Sequence, residues 1–99
     1  MEEHIYYNSL FDCYGDLLTD NERECFKSYY SEDLSLKEIA ENNSVSRSAV
    51  HKTVKKVCEK LENYESILHL YEIKRDLQDC LVISNLEEKN KRITEIIDK

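Results

Sequence analysis

Ser35-Leu36-Lys37-Glu38-Ile39-Ala40-Glu41-Asn42-Asn43-Ser44-Val45-Ser46-Arg47-Ser48-Ala49-Val50-His51-Lys52-Thr53-Val54-Lys55-Lys56-Val57 is the stretch that decides the fold. It opens with a serine three residues ahead of a glutamate, the pairing that satisfies two free amides at a helix start. Leu36, Ile39 and Ala40 then fall on one helical face. Asn42-Asn43-Ser44 interrupts the pattern, and asparagine tolerates the left-handed conformation of a tight turn. Ser46 is placed to cap a second helix, whose inward residues begin with Val50 and Val54. Two helices cross closely only over a small side chain, and Ala40 supplies it. Ile39 and Val45 are expected to pack from the first helix and the turn. The pattern predicts a helix-turn-helix over about residues 35–57.

Outward from this stretch the sequence keeps its helical period. Tyr7, Leu10, Phe11, Tyr14 and Leu17 recur at three- and four-residue steps, predicting a helix from about His4 to Leu17. Thr19-Asp20-Asn21-Glu22 is a capping box, with Cys25, Phe26, Tyr29 and Tyr30 as the buried stripe behind it. On the other side Val50, Val54, Val57, Leu61, Tyr64, Leu68 and Tyr71 form a heptad seam. With no breaker in sight, that helix is expected to run into the seventies. A second apolar line, Ile67, Leu70, Ile73, Leu77 and Leu81, begins as the seam fades. Ser84-Asn85-Leu86-Glu87 is expected to cap a last helix with Leu86, Ile93, Ile96 and Ile97 on one side. Glu87 with Lys91 and Glu88 with Arg92 are spaced as ion pairs there.

Composition supports an all-α chain. The 99 residues include no proline and one glycine, Gly15, too few turn residues for a sheet protein. That length suits a single domain, 1–99, with a long C-terminal helical extension over about 58–99. The acidic N-terminus predicts no signal peptide. No run approaches the ~18 apolar residues of a membrane span, and a cytoplasmic location is expected. Cys13, Cys25, Cys58 and Cys80 lie far apart, and His4, His51 and His69 are scattered, so neither metal site nor disulfide is expected. The cysteines read as small buried hydrophobes.

The net charge of −7 is unevenly spread. Residues 1–36 hold two basic and nine acidic residues; residues 61–99 hold six and nine. Only residues 37–60 are positive, six basic against three acidic, ending in Arg47, Lys52, Lys55, Lys56 and Lys60. On the second helix of the motif, Arg47, Ser48, His51, Lys52 and Lys55 face outward, where such a helix enters a major groove. Arg47 suits guanine or a phosphate beside the helix start; Ser48 and His51 suit base edges; Lys52 and Lys55 suit phosphate. Spacing alone is equally compatible with solvated charges on an ordinary helical hairpin.

Leu18-Thr19-x-x-Glu22-Arg23, Leu34-Ser35-Leu36-x-Glu38-Ile39-Ala40 and Val45-Ser46-Arg47-Ser48-Ala49-Val50 resemble the promoter-reading region 4 of bacterial sigma factors. The flanks Leu10-Phe11-Asp12-x-Tyr14-Gly15-x-Leu17-Leu18-Thr19 and Leu61-Glu62-x-Tyr64-Glu65-x-x-Leu68-His69-Leu70 resemble the YlxM family more narrowly. The resemblance covers about residues 5–75. It implies a small helix-turn-helix protein with a regulatory part in the signal recognition particle pathway. The family often has Gln-Ala-Val-Tyr where this chain has Ser48-Ala49-Val50-His51, so no base preference carries over. The glycine common at such turns is missing, with Ser44 near its place, which leaves Asn42 and Asn43 to make the bend.

Two functions follow. One is a non-enzymatic DNA-binding transcription regulator that meets double-stranded DNA through Arg47, Ser48, His51, Lys52 and Lys55. The alternative is a protein-interaction module acting on the signal recognition particle GTPase or its RNA, favoured by acidic flanks and a long heptad helix. The two apolar stripes past Leu61 predict a homodimer through residues 61–85. No glycine loop, nucleophile motif or acid–histidine cluster points to an enzyme, and no cofactor is expected.

Overall fold

The computed structural model describes residues 2–98, and every regular element among them is helical. In chain order these are α1 (Glu2–Tyr14), a 3₁₀ turn (Gly15–Leu17), α2 (Asp20–Phe26), a π-helical turn (Lys27–Ser31), α3 (Leu36–Asn43), α4 (Arg47–Leu68), α5 (Leu70–Cys80) and α6 (Leu86–Ile97). The all-α class and the helix-turn-helix expected from the sequence are both present. The chain divides into two compact units, Met1–Ile67 and Leu68–Lys99.

The core of the first unit is built from Leu10, Tyr14, Leu18, Phe26, Tyr30, Ile39, Ala40, Val50, Val54, Val57, Cys58 and Leu61. Phe11 and Phe26 stack at 4.5 Å, and Phe26 continues to Tyr30 at 4.7 Å. Gly15 is buried, and a Cβ there would meet the Phe11 ring at 3.2 Å. At that glycine α1 tightens into the 3₁₀ turn, so the expected single helix to Leu17 is corrected. Tightening rotates the next residues: Leu18 becomes core and Leu17, expected on the buried face, is 56% exposed.

Thr19 caps α2 as the sequence predicts. Its hydroxyl accepts from the Glu22 amide at 3.2 Å, and its own amide donates to the Glu22 carboxylate at 2.9 Å. The helix then widens, with the Glu32 amide donating to the Lys27 carbonyl five residues back at 2.9 Å. Phe26 and Tyr30 are core, while Cys25 and Tyr29 are half-buried.

Ser35 caps α3 with Glu38 in the same reciprocal way. The turn differs from expectation. Asn42 and Asn43 stay helical, and Ser44 takes the left-handed conformation, φ 55° and ψ 40°. The Val45 amide reaches the Ala40 carbonyl at 3.1 Å and the Ser44 amide reaches Glu41 at 3.4 Å, the two bonds of a Schellman helix end. Asn43 spends its side chain on the Ile39 carbonyl at 2.8 Å. Val45, expected to pack, is 49% exposed.

The seam along α4 is buried from Val50 to Leu61 and then emerges, with Tyr64 half-buried and Leu68 exposed. Tyr14 donates its hydroxyl to Glu65 at 2.6 Å, and Tyr7 to Glu62 at 3.0 Å, fastening α1 along α4. The helix does not run into the seventies. His69 is left-handed, φ 56° and ψ 26°, and α5 restarts at Leu70 with the Ile73 amide on the His69 carbonyl.

In the second unit α5 packs on α6, burying Cys80 and Ile96 with Ile73, Ile83 and Ile93 half-covered. The cap of α6 is Asn85 rather than Ser84: its side chain accepts from the Glu88 amide at 2.9 Å. Leu86 and Ile97, expected on the buried side, are exposed. Among the described residues neither expected four-residue pair forms, and Arg92 meets Glu95 at 3.6 Å instead. Cys58 and Cys80 are buried, and Cys13 and Cys25 are half-buried.

Candidate nucleic-acid interface

The first turn of α4 is prepared from both sides. The Schellman end of α3 delivers the chain to Ser46, whose hydroxyl accepts the Ala49 amide at 3.0 Å. Ala40, Val50 and Val54 are all buried at this corner. The first turn holds no acidic residue to offset the positive end of the helix dipole.

All five residues predicted to face outward are exposed. Arg47, Ser48, His51 and Lys52 line one shallow hollow together with Leu36 of α3. Lys55 stands one turn further along. With His51 it borders a second hollow whose floor is Tyr7, Tyr29, Tyr30, Val54 and Cys58 and whose rim carries Glu3, Glu59 and Glu62. The positive end therefore passes into an acidic stretch within about one helical turn of Lys55.

The basic stretch does not act as one patch. Lys60 donates to Glu22 Oε2 at 2.7 Å, and the Lys56 ammonium lies 3.8 Å from the same oxygen. Among the described residues Arg47, Lys52 and Lys55 form no ion pair with a carboxylate. Burial by itself pushes the Glu22 carboxyl up, but the Lys60 ammonium together with the Thr19 amide and hydroxyl outweighs it. The carboxyl is held below its ordinary range, hence ionised. Burial, reinforced by the Glu62 bond, pushes the Tyr7 phenol up to about 12. Burial likewise raises Tyr30, whose hydroxyl lies 3.4 Å from the Cys58 sulfur.

Glu22 and the tyrosine floor are the features that sequence reasoning missed. Glu22 was legible as a capping residue, while its bond to Lys60 joins positions 38 residues apart and leaves no local signal. The tyrosines read as core stripe; the π-helical turn brings Tyr29 and Tyr30 to the hollow's wall. Among the described residues no group of three His, Cys, Asp or Glu side chains is placed to hold a metal ion. No helix among them is long and apolar enough to cross a membrane.

A family profile described as "Putative helix-turn-helix protein, YlxM / p13 like" (UPF0122) matches residues 1–99. A UPF0122 protein of Clostridium acetobutylicum is 39% identical over 106 residues, covering 100% of this chain and 91% of the relative. One from Clostridium kluyveri is 43% identical over 98 residues, covering 99% and 80%. Another from Limosilactobacillus reuteri is 46% identical over 71 residues, covering 72% and 63%. The chain belongs to the YlxM/p13-like UPF0122 family of helix-turn-helix proteins.

Proposed function

We propose that this protein is a non-enzymatic regulator that binds double-stranded DNA with the N-terminal end of α4. The supporting observation is the grouping of Arg47, Ser48, His51 and Lys52 around one exposed hollow at a capped helix start, with no acidic side chain in that first turn. In this reading Arg47 and the free amides of the first turn meet a phosphate or a guanine edge. Ser48 and His51 address base edges, and Lys52 and Lys55 neutralise the flanking backbone. Residues 61–85 form a homodimer that sets two such helices on a two-fold-related site. The regulated process is the signal recognition particle pathway, as the family resemblance implies. A mobility shift with promoter DNA at low salt is the test: wild-type protein retards the duplex, and Arg47→Ala with Lys52→Ala abolishes retardation. Wild-type protein that leaves the duplex unshifted at low salt sinks the proposal.

A second reading is favoured by the second unit, where Leu70, Leu77, Leu81, Val82, Leu86 and Ile97 are all exposed. Apolar side chains in that number suit a protein partner. In the family context the partner is the signal recognition particle GTPase or its RNA. A pull-down and a GTPase rate measured with and without the protein test it; no retention and an unchanged rate remove it.

A further inference from the structure

Glu22 is the one charged side chain buried among the described residues, at 4% exposure. Its Oε1 accepts the Thr19 amide and its Oε2 the Lys60 ammonium. One carboxylate thereby joins the start of α2 to the middle of α4. The Lys60 side chain is 34% exposed and tightly held; Lys56, one turn earlier, is 66% exposed and 3.8 Å away. At about 100° per residue, Arg47, Ser48, His51, Lys52 and Lys55 span roughly 140° of the α4 surface. Lys56 lies about 40° beyond Lys52 and Lys60 about 80° beyond, toward the face that meets Glu22.

We propose that Glu22 is a positioning residue for α4: it fixes this helix to α2 through Lys60 and keeps Lys60 and Lys56 off the phosphate backbone. The cations that meet nucleic acid are then Arg47, Lys52 and Lys55. The inference rests on the DNA-binding reading above. Its physical basis is the cost of the competing state. Turning Lys60 toward a phosphate strands a buried carboxylate without its partner, whereas a single exposed ion pair returns little.

The test is the slope of log affinity against log salt for the full chain and a short duplex that holds one half-site, so that a single α4 is engaged, followed by fluorescence anisotropy. Each phosphate neutralised contributes about 0.9 to that slope. Lys52→Gln flattens it by about 0.9, and Lys60→Gln leaves it unchanged. Glu22→Gln keeps an oxygen for the Thr19 amide, loses the charge, and steepens the slope by about 0.9 to 1.8 as both ammoniums are released. A Lys60→Gln slope as flat as that of Lys52→Gln, or a Glu22→Gln slope equal to wild type, overturns the proposal and leaves DNA binding standing. Thermal melting reads the clamp without DNA. Glu22→Gln and Lys60→Gln each lower Tm by at least about 4 °C, and the double variant falls no further than the worse single one. Strictly additive losses overturn the clamp. Wild-type protein that binds no duplex overturns the DNA-binding reading and the phosphate half of this proposal together, and melting then decides the clamp alone.

Discussion

Ser44 occupies a backbone conformation that costs an ordinary residue about 1 kcal/mol or more. Ser44→Gly removes the Cβ conflict, and the expected result is a gain of about 0.5–1 kcal/mol in urea unfolding. Asn43→Ala tests the neighbouring position differently: the Ile39 carbonyl loses a side-chain donor but keeps solvent within reach, so the loss stays near 0.5–1 kcal/mol. Glu22 gives the pH dependence. Its carboxyl is depressed in the folded chain below the ordinary 4.5 that the unfolded chain shows. The stability it contributes is therefore complete above that value and is lost as pH falls below it toward the folded value. Melting temperature in wild type should drop through that acid window more steeply than in Glu22→Gln. Tyr7 acts at the other extreme: its phenol is raised from 10.0 to about 12, so its share of stability disappears as pH climbs through that interval. Tyr7→Phe should flatten the alkaline limb.

At the scale of elements, what was legible follows from range. Thr19, Ser35 and Ser46 cap where the sequence said, because a cap is decided within three residues. Ser46→Ala should cost about 1 kcal/mol and loosen the first turn of α4. The seam on α4 was legible through Leu61 because each step buries against the same unit; Leu61→Ala should cost about 2–5 kcal/mol by chemical denaturation. Two features left no local trace. The π-helical widening falls in an ordinary α-periodic run, and His69 breaks a helix that has neither proline nor glycine to announce it. The same range argument holds for the candidate site: its exposed face was readable from helical period, whereas the removal of Lys60 to Glu22 was not. Beyond the break, Leu70 and Leu77 on α5 and Leu81 at its C-terminal cap remain exposed at seven- and four-residue spacing. Light scattering at micromolar concentration should give twice 11.8 kDa, and Leu77→Glu with Leu81→Glu should return the monomer mass. A wild-type mass of one chain refutes the dimer.

For the whole molecule, a net charge of −7 makes binding to a polyanion depend on local grouping alone. On a duplex that holds one half-site, three phosphate contacts give a slope of about −2.7, so affinity should fall roughly 40-fold between 50 and 200 mM salt. A fall of about 500-fold on that half-site would mean that Lys56 and Lys60 take part as well. The division into Met1–Ile67 and Leu68–Lys99 also distributes the aromatic residues unevenly. The chain has no tryptophan, and of its seven tyrosines Tyr6, Tyr7, Tyr14, Tyr29, Tyr30 and Tyr64 lie in the first unit and only Tyr71 in the second. Intrinsic emission and near-ultraviolet dichroism therefore watch one half of the molecule while the other stays almost dark. Disagreement between those optical signals and far-ultraviolet dichroism during unfolding would separate the two melting events without any label.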